Sequence, residues 1–249
     1  MRDYEVLYIV RADFDDDKVQ EAVKRVNTLI ERSGGTPERT NLWGKRKLAY
    51  EVKHQKEGSY VLQDFQLEPE RVPELEAGLK ITEEVLLTNQ LDRGELSVAR
   101  HSVDVVDLVR RTVDAMASSV PDPALFDIEI ASEIGAASAD ADRVQQVLVN
   151  LLDNAIKYGS GTPVQVRVES ANGHVRISVA DSGPGISLAD QQRIFEKFFR
   201  ADPGLAHAPS GTGLGLYISR ELVQRMGGQL DVRSEPGAGT TFVFELPRA

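Results

Sequence analysis

The stretch that most constrains this chain runs from Val144 to Tyr158. Val144, Val147, Leu148, Leu151, Leu152 and Ala155 recur at the i, i+3, i+4 spacing of an amphipathic helix with one buried face. Arg143, Gln146, Asn150, Asn154 and Lys157 fall together on one edge beside that face. A carboxamide oxygen can ligate a hard cation such as Mg²⁺, and a neighbouring ammonium can meet phosphate, so the edge suits a magnesium nucleotide. A solvated helix edge is the other reading of the same pattern. Asp142 is the expected N-cap and Gly159 the expected stop.

The residues beyond this helix favour the nucleotide. Val164, Val166 and Val168 alternate with polar residues, Asn172-Gly173 makes a hairpin turn, and Val175, Ile177 and Val179 return as a second strand. That strand ends in Asp181-Ser-Gly-Pro-Gly-Ile186, where glycines admit a flat ligand and Asp181 supplies an acceptor able to take the amino protons of adenine. Ser187 to Asp190 reads as a capping box for a helix running through Ile194 and Phe195 to Phe199 and Arg200. Residues Ala201 to Ser210 lack periodicity and read as a mobile loop. Gly211-Thr-Gly-Leu-Gly-Leu216 then opens a helix closed by Gly227-Gly228, and its backbone N–H groups can cradle anionic oxygens. There is no Lys-Ser/Thr ending of a Walker loop and no preceding strand of a dinucleotide fingerprint. A last pair of strands, Gln229 to Ser234 and Thr240 to Leu246, turns at Pro236 to Gly239.

The first ninety residues read differently. Tyr4, Val6, Tyr8 and Val10 mark a strand, and Asp15 to Asp17 cap a helix carrying Val19, Val23, Val26, Leu29 and Ile30 that Gly34-Gly35 stops. Leu42 to His54 and Ser59 to Leu67 read as two strands, Pro69 begins a second helix, and Val85 to Leu91 reads as a last strand. The order βαββαβ predicts a ferredoxin-like sandwich. A junction comes next, with a turn at Gly94, a helix from Val103 to Met116, a break at Pro121 and Pro123, and a strand through Phe126, Ile128 and Ile130.

Composition narrows the chemistry. A net charge of -10 over 249 residues opposes broad nucleic-acid affinity, although it leaves room for a local basic patch in Lys45, Arg46 and Lys47 beside Trp43. The absence of Cys excludes disulfides, thiolate metal sites and cysteine nucleophiles. No apolar run is long enough to span a bilayer and the N-terminus lacks a secretory cleavage site, so the expectation is a cytoplasmic protein without membrane contact.

Arg2-Asp-Tyr-Glu, Gly34-Gly35, Trp43-Gly-Lys-Arg-Lys-Leu-Ala-Tyr50, Glu57-Gly-Ser-Tyr60, Glu74-Leu-Glu and Ile81-Thr-Glu-Glu-Val85 closely resemble the sixth small-subunit ribosomal protein. That resemblance implies a structural module binding small-subunit ribosomal RNA beside a partner protein. By their chemistry, within residues 43–50, Lys45, Arg46 and Lys47 can meet phosphates and Trp43 or Tyr50 can stack on bases; a solvated strand edge and core filling are the other readings. After Val85 the pattern departs from that family, and residues 1–90 carry 14 Lys and Arg against 18 Asp and Glu.

Asn150 to Tyr158, Asp181 to Ile186, Phe195 to Arg200 and Gly211 to Gly215, in that order, resemble the N, G1, F and G2 boxes of the ATP-binding catalytic domain of sensor histidine kinases, the Bergerat fold. The fold class implied is α+β, with residues 1–91 ferredoxin-like and 92–249 a two-layer sandwich on a mixed sheet. On that resemblance Asn154 ligates Mg²⁺ and Asn150 lies near metal and phosphates. Asp181 holds the adenine amino group, Gly183, Gly185 and Ile186 line the base, Lys157 meets phosphate and Tyr158 flanks the base. Arg200, Gly211, Thr212, Gly213, Leu214 and Gly215 shape the lid and phosphate contact, and Thr240 or Thr241 supports the adenine site.

Relatives that hydrolyse ATP, and the serine kinases of anti-sigma type, carry a Glu at the position of Asn150. A carboxamide cannot act as that base, so Asn150 and Lys157 point to phosphoryl transfer onto a nucleophilic imidazole. None of His54, His101, His174 and His207 has the context of a phosphoacceptor. The expectation is a fusion or chimera whose kinase half needs an acceptor domain in trans. The alternatives are an RNA-binding, ribosome-associated protein and a nucleotide-binding interaction module without phosphotransfer.

Overall fold

The computed structural model describes residues 1–11, 14–52, 55–92, 96–118, 120, 126–159, 161–201 and 212–249. The expectations at His54, Gly94, Pro121, Pro123, His207 and Gly211, and for residues 202–210, lie outside these. The chain divides into two compact units, Met1–Glu83 and Glu84–Ala249.

In the first unit β1 (Arg2–Arg11) alternates in burial, Tyr4, Val6, Tyr8 and Val10 turning inward while Leu7 and Ile9 stay exposed, and two long strands are added as β2 (Thr36–Val52) and β3 (Gln55–Leu67). β3 is the central strand, antiparallel to both neighbours, in the order β1-β3-β2. α1 (Asp16–Arg32) is capped by Asp15, whose carboxylate accepts from the Lys18 amide, and it buries Val19, Val23 and Ile30. Gly34 ends it with a positive φ of 78°. Ile30 packs with Phe65, Leu67 and Leu75, while Val19 and Val23 pack with Val10 and Val61.

One expected element changes type. Residues 85–91 are not a strand but the last turns of α2 (Val72–Asp92). No Gly or Pro interrupts the chain between Gly78 and Asp92, and Leu87 and Leu91, four residues apart, are both buried in the core of the second unit. One helical face therefore buries what a strand would divide between two faces. The sheet of the first unit has three strands among the described residues.

In the second unit, β4 (His101–Val103) pairs with β6 (Ala137–Ala139), a small ladder without a signal in the sequence. α3 (Val105–Ala117) is capped by Asp104. β5 (Phe126–Ile130), β7 (Val164–Ala171), β8 (His174–Asp181), β10 (Gly239–Pro247) and β9 (Gln229–Glu235) form one sheet in that order. β5 and β7 run parallel and the other pairs antiparallel, so the sheet is mixed. Asn172 and Gly173 both take positive φ, which the two-residue hairpin between β7 and β8 demands.

Period-two burial gives the sheet one apolar face: Val164, Val166, Val168, Val175, Ile177, Val179, Phe244 and Leu246 are all buried. The helices α3, α4 (Ala141–Tyr158) and α6 (Gly215–Arg225) supply the residues packed against it. The opposite face is polar, where Arg176 on β8 bridges Glu169 on β7 and Glu245 on β10 at 3.0 and 2.6 Å. This is the two-layer α+β sandwich on a mixed sheet that the motifs imply.

α4 starts two residues earlier than the spacing predicts. Asp140, not Asp142, is its N-cap; one carboxylate oxygen accepts from the Arg143 amide and the other from the Ala99 amide. Asp142 sits in the first turn, where its charge suits the helix dipole. The helix expected through Phe199 and Arg200 is also shorter. α5 (Leu188–Gln191) is a single turn, and the chain continues as turns because Phe198 takes a φ of 62° and donates its N–H to the Gly213 carbonyl rather than to its own helix.

Candidate nucleotide site

α4 presents the predicted edge. Val144, Val147, Leu148, Leu151, Leu152 and Ala155 are buried, while Asn150 and Asn154 are half-buried and Lys157 is exposed beside them. Lys157 Nζ is held 2.8 Å from Asp153 one turn back, so its ammonium is tethered at the helix edge. Arg143, at the start of the edge, is buried and donates to Gln146.

Two glycine-bearing segments converge on this helix. The end of α4 lies against the turn after β8: a Cβ on Gly183 would clash with the Tyr158 carbonyl oxygen, and one on Gly159 would meet Asp181 Cβ at 3.2 Å. The start of α6 lies against its middle, where a Cβ on Gly215 would clash with Asn150 Oδ1. Gly213, with a φ of 72°, packs on the backbone of Phe198 and Phe199, joining the segment after α5 to the start of α6. Glycine is required at 159, 183 and 213 because backbone atoms approach there more closely than any side chain allows, whereas at Gly215 the close neighbour is the Asn150 side chain.

Asp181 stands at the end of β8 on the helix-covered face, opposite Thr240. Burial raises its pKa, and this is opposed by backbone N–H groups of Gly183 and Thr240 that hydrogen-bond its carboxylate. The Gly183 bond is 2.8 Å. A half-buried carboxylate kept in position by two amides is a preorganised acceptor for a planar donor. Gly239, with a φ of 91°, closes over the Asp181 carbonyl and leaves no room there for a Cβ.

The loop after Asp181 is pinned by residues that no motif includes. Ser234 Oγ accepts from the Ile186 amide at 2.8 Å and donates to the Gly239 carbonyl at 2.6 Å. Gln191 Nε2 donates to the carbonyls of both Ile186 and Ser234 at 2.8 Å. Gly185, with a φ of 72°, sits where a Cβ would strike the Glu235 carbonyl. No sequence motif marks Ser234 or Gln191, because each joins a partner five positions away to one more than forty positions away.

At the far end of the site α6 begins at Gly215 behind Leu214, which is buried and offers no side-chain cap. Thr212 Oγ1 accepts from the Leu214 amide at 3.1 Å. The next backbone N–H groups belong to the first helical turn, which is the anion-binding end of a helix. Tyr158 is 36% exposed at the rim. Arg200 is exposed outside any helix. Thr241 pairs with Ala180 and faces away from Asp181, whereas Thr240 shares the Asp181 face. In the first unit, Trp43 is 42% exposed at a register shift of β2, and the Arg46 guanidinium lies 5.1 Å from its ring centroid. Lys45 is exposed beside them, and Lys47 lies in β2 opposite Glu57.

For a magnesium ion, the donor set is two carboxamides one helical turn apart, and no group of three His, Asp or Glu able to hold a metal occurs among the described residues. Such a set fits a hard cation that arrives with phosphate oxygens, and does not fit a free ion held by protein alone.

Residues 139–249 match the family model described as histidine kinase-, DNA gyrase B- and HSP90-like ATPase, and residues 3–89 match the model of ribosomal protein S6. The sensor histidine kinase MtrB of Mycolicibacterium paratuberculosis is 36% identical over 180 residues, covering 65% of this chain and 32% of the relative. The chain thus spans about a third of the length of that curated relative. Full-length ShkA, solved in complex with AMPPNP, superposes with a TM-score of 0.61 at 31% identity, over 74% of this chain and 40% of the other. The mycobacterial sensor histidine kinase MprB gives a TM-score of 0.50 at 27% identity, over 60% of this chain and 97% of the other. The chain therefore carries two segments, one similar to ribosomal protein S6 and one similar to the histidine-kinase-type ATPases.

Proposed function

From a chain that joins those two segments, we propose that residues 92–249 bind magnesium ATP and transfer its terminal phosphoryl group to a histidine on a separate acceptor domain. The single observation that carries this reading is the convergence of Asp181, the Asn150–Asn154 edge and the bare N-terminus of α6 around one helix. The adenine amino group donates to Asp181, while Gly183, Gly185 and Ile186 let the base lie close to the backbone. Tyr158 covers the rim. The phosphates lie along α4 toward the first turn of α6, where Thr212, Gly213, Leu214 and Gly215 shape the contact and Lys157 and Arg200 add positive charge.

Asn154 would hold Mg²⁺ through its carboxamide oxygen, with Asn150 beside the metal and phosphates; the ion would supply charge neutralisation to the phosphates. Asn150 cannot take a proton from water, so the residues here favour an already nucleophilic imidazole over hydrolysis. Among the described residues His101 lies in β4 and His174 in β8, neither on a helix as an acceptor requires in the resembling kinases. No helix among the described residues is long and apolar enough to cross a membrane.

The test is to incubate the chain with ATP labelled on its terminal phosphate, with and without an isolated acceptor-histidine domain from a related kinase. Label should pass to the acceptor and not to the chain. Nucleotide binding with no transfer to any acceptor tried would favour an interaction module instead. A second reading concerns residues 1–91 alone. The S6 match and the exposed Trp43–Arg46 stack favour an RNA contact through Trp43, Lys45, Arg46 and Lys47. Replacing the three basic residues should abolish any affinity for small-subunit ribosomal RNA at low salt; an unchanged affinity would remove this reading.

A further inference from the structure

Ser219 is the one buried polar side chain on α6, 1% exposed, and it belongs to none of the four motifs. Its Oγ accepts from Asn150 Nδ2 at 2.9 Å across the α4–α6 interface. Ser219 follows Gly215 by one helical turn, so both lie on the same face of α6. Asn150 Oδ1 rests against Gly215, so close that a Cβ there would clash with it. The carboxamide is thereby tied to α6 through its nitrogen, with its oxygen beside the first turn of that helix.

That orientation has chemical content. Only the oxygen of a carboxamide can ligate a cation, and its two ends are nearly equal in shape, so an unheld Asn turns either end to the site. We propose that Ser219 is a positioning residue that anchors the Asn150 carboxamide across the α4–α6 interface, so that its cation-ligating oxygen stays beside the metal-bearing phosphates. This role rests on the magnesium-ATP reading. It also assigns α6 two tasks: its first turn meets phosphate, and its second turn sets the rotamer of the metal-side residue on α4.

The test uses the full chain with Ser219→Ala and Ser219→Thr. Affinity for a nonhydrolysable ATP analogue is measured by calorimetry, once with Mg²⁺ and once with EDTA, and the Asn150 side-chain amide is followed by ¹⁵N NMR without nucleotide. Ser219→Ala should weaken magnesium-dependent affinity by about 3- to 10-fold, the worth of one hydrogen bond, and leave the EDTA value unchanged. Its Asn150 amide protons should exchange faster than in the parent, and Ser219→Thr, which keeps the hydroxyl, should restore both readouts. Equal losses with Mg²⁺ and EDTA, or no change in either, would overturn the proposal. If the parent chain binds no nucleotide under any condition, the magnesium-ATP reading falls and takes the positioning role with it. A parent that binds and a Ser219→Ala that behaves identically removes the positioning role alone.

Discussion

At the scale of single residues, two buried polar groups show how differently burial can be used. Tyr8 on β1 has a buried hydroxyl with no hydrogen-bond partner among the described residues, and burial pushes its pKa up to about 12. Nothing in the fold exploits it. Tyr8→Phe should therefore stabilise the chain by about 1–2 kcal/mol in urea titration, because it removes an unsatisfied group and keeps the ring. Since the folded pKa lies above the unfolded one, the parent should lose stability as pH rises from about 10 to 12, and the variant should not. Asp181 has the same direction of shift from burial, yet its carboxylate is gripped by the Gly183 and Thr240 amides. Its contribution to stability is full below the ordinary carboxylate pKa and is lost as pH rises through the raised folded value. Asp181→Asn should then melt no lower than the parent at neutral pH, with any advantage gone in acid, as scanning calorimetry at the two pH values can show. A site that costs stability to keep a charge is a mark of function. Gly185→Ala forces a Cβ into the Glu235 carbonyl at a φ of 72° and should destabilise by more than about 1 kcal/mol, with faster amide exchange at Ile186 as the local sign.

At the scale of elements, the sequence spoke most clearly where a signal is local. The α4 stripe, the Asn172-Gly173 hairpin and the Asp15 cap depend on residues within a few positions of one another, and each forms as the spacing requires. Residues 85–91 show the opposite case. Val85-Leu86-Leu87 is too short an apolar run for periodicity to separate strand from helix, and the decision falls to Leu87 and Leu91, whose shared helical face is buried in the second unit's core. Arg225 at the end of α6 supports that end, donating to the carbonyls of Leu91 and Leu96 at 2.8 and 3.1 Å. Leu91→Ala should cost about 2–5 kcal/mol, read as a lower melting temperature of the second unit. Exchange protection across residues 85–91 should follow a helical pattern. The segment after α5 was illegible for a similar reason: the amide of Phe198 is claimed by Gly213, fifteen positions away, and no nearby residue reveals that.

At the scale of the whole molecule, three of the four ordered motifs carry the candidate site in their own glycines or carboxamides, and the fold brings those segments to one helix. The supports were hidden. Ser219, Ser234, Gln191 and Gly239 act through partners 5 to 69 positions away, so only the folded chain pairs them with Asn150, Ile186 and Asp181. The division of the chain into an S6-like and a kinase-type segment has a functional corollary: RNA affinity and nucleotide affinity should be separable by mutation. Changing Lys45, Arg46 and Lys47 should leave nucleotide binding untouched. On the proposed reading, Asp181 and Asn154 hold the two ends of one magnesium nucleotide. Calorimetric titration of the parent, Asp181→Asn and Asn154→Ala with a nonhydrolysable ATP analogue tests it directly. The predicted result is binding by the parent, at least about tenfold weaker binding by Asp181→Asn with or without Mg²⁺, and loss of the magnesium-dependent part alone in Asn154→Ala. Parent-like affinity in both variants would contradict it.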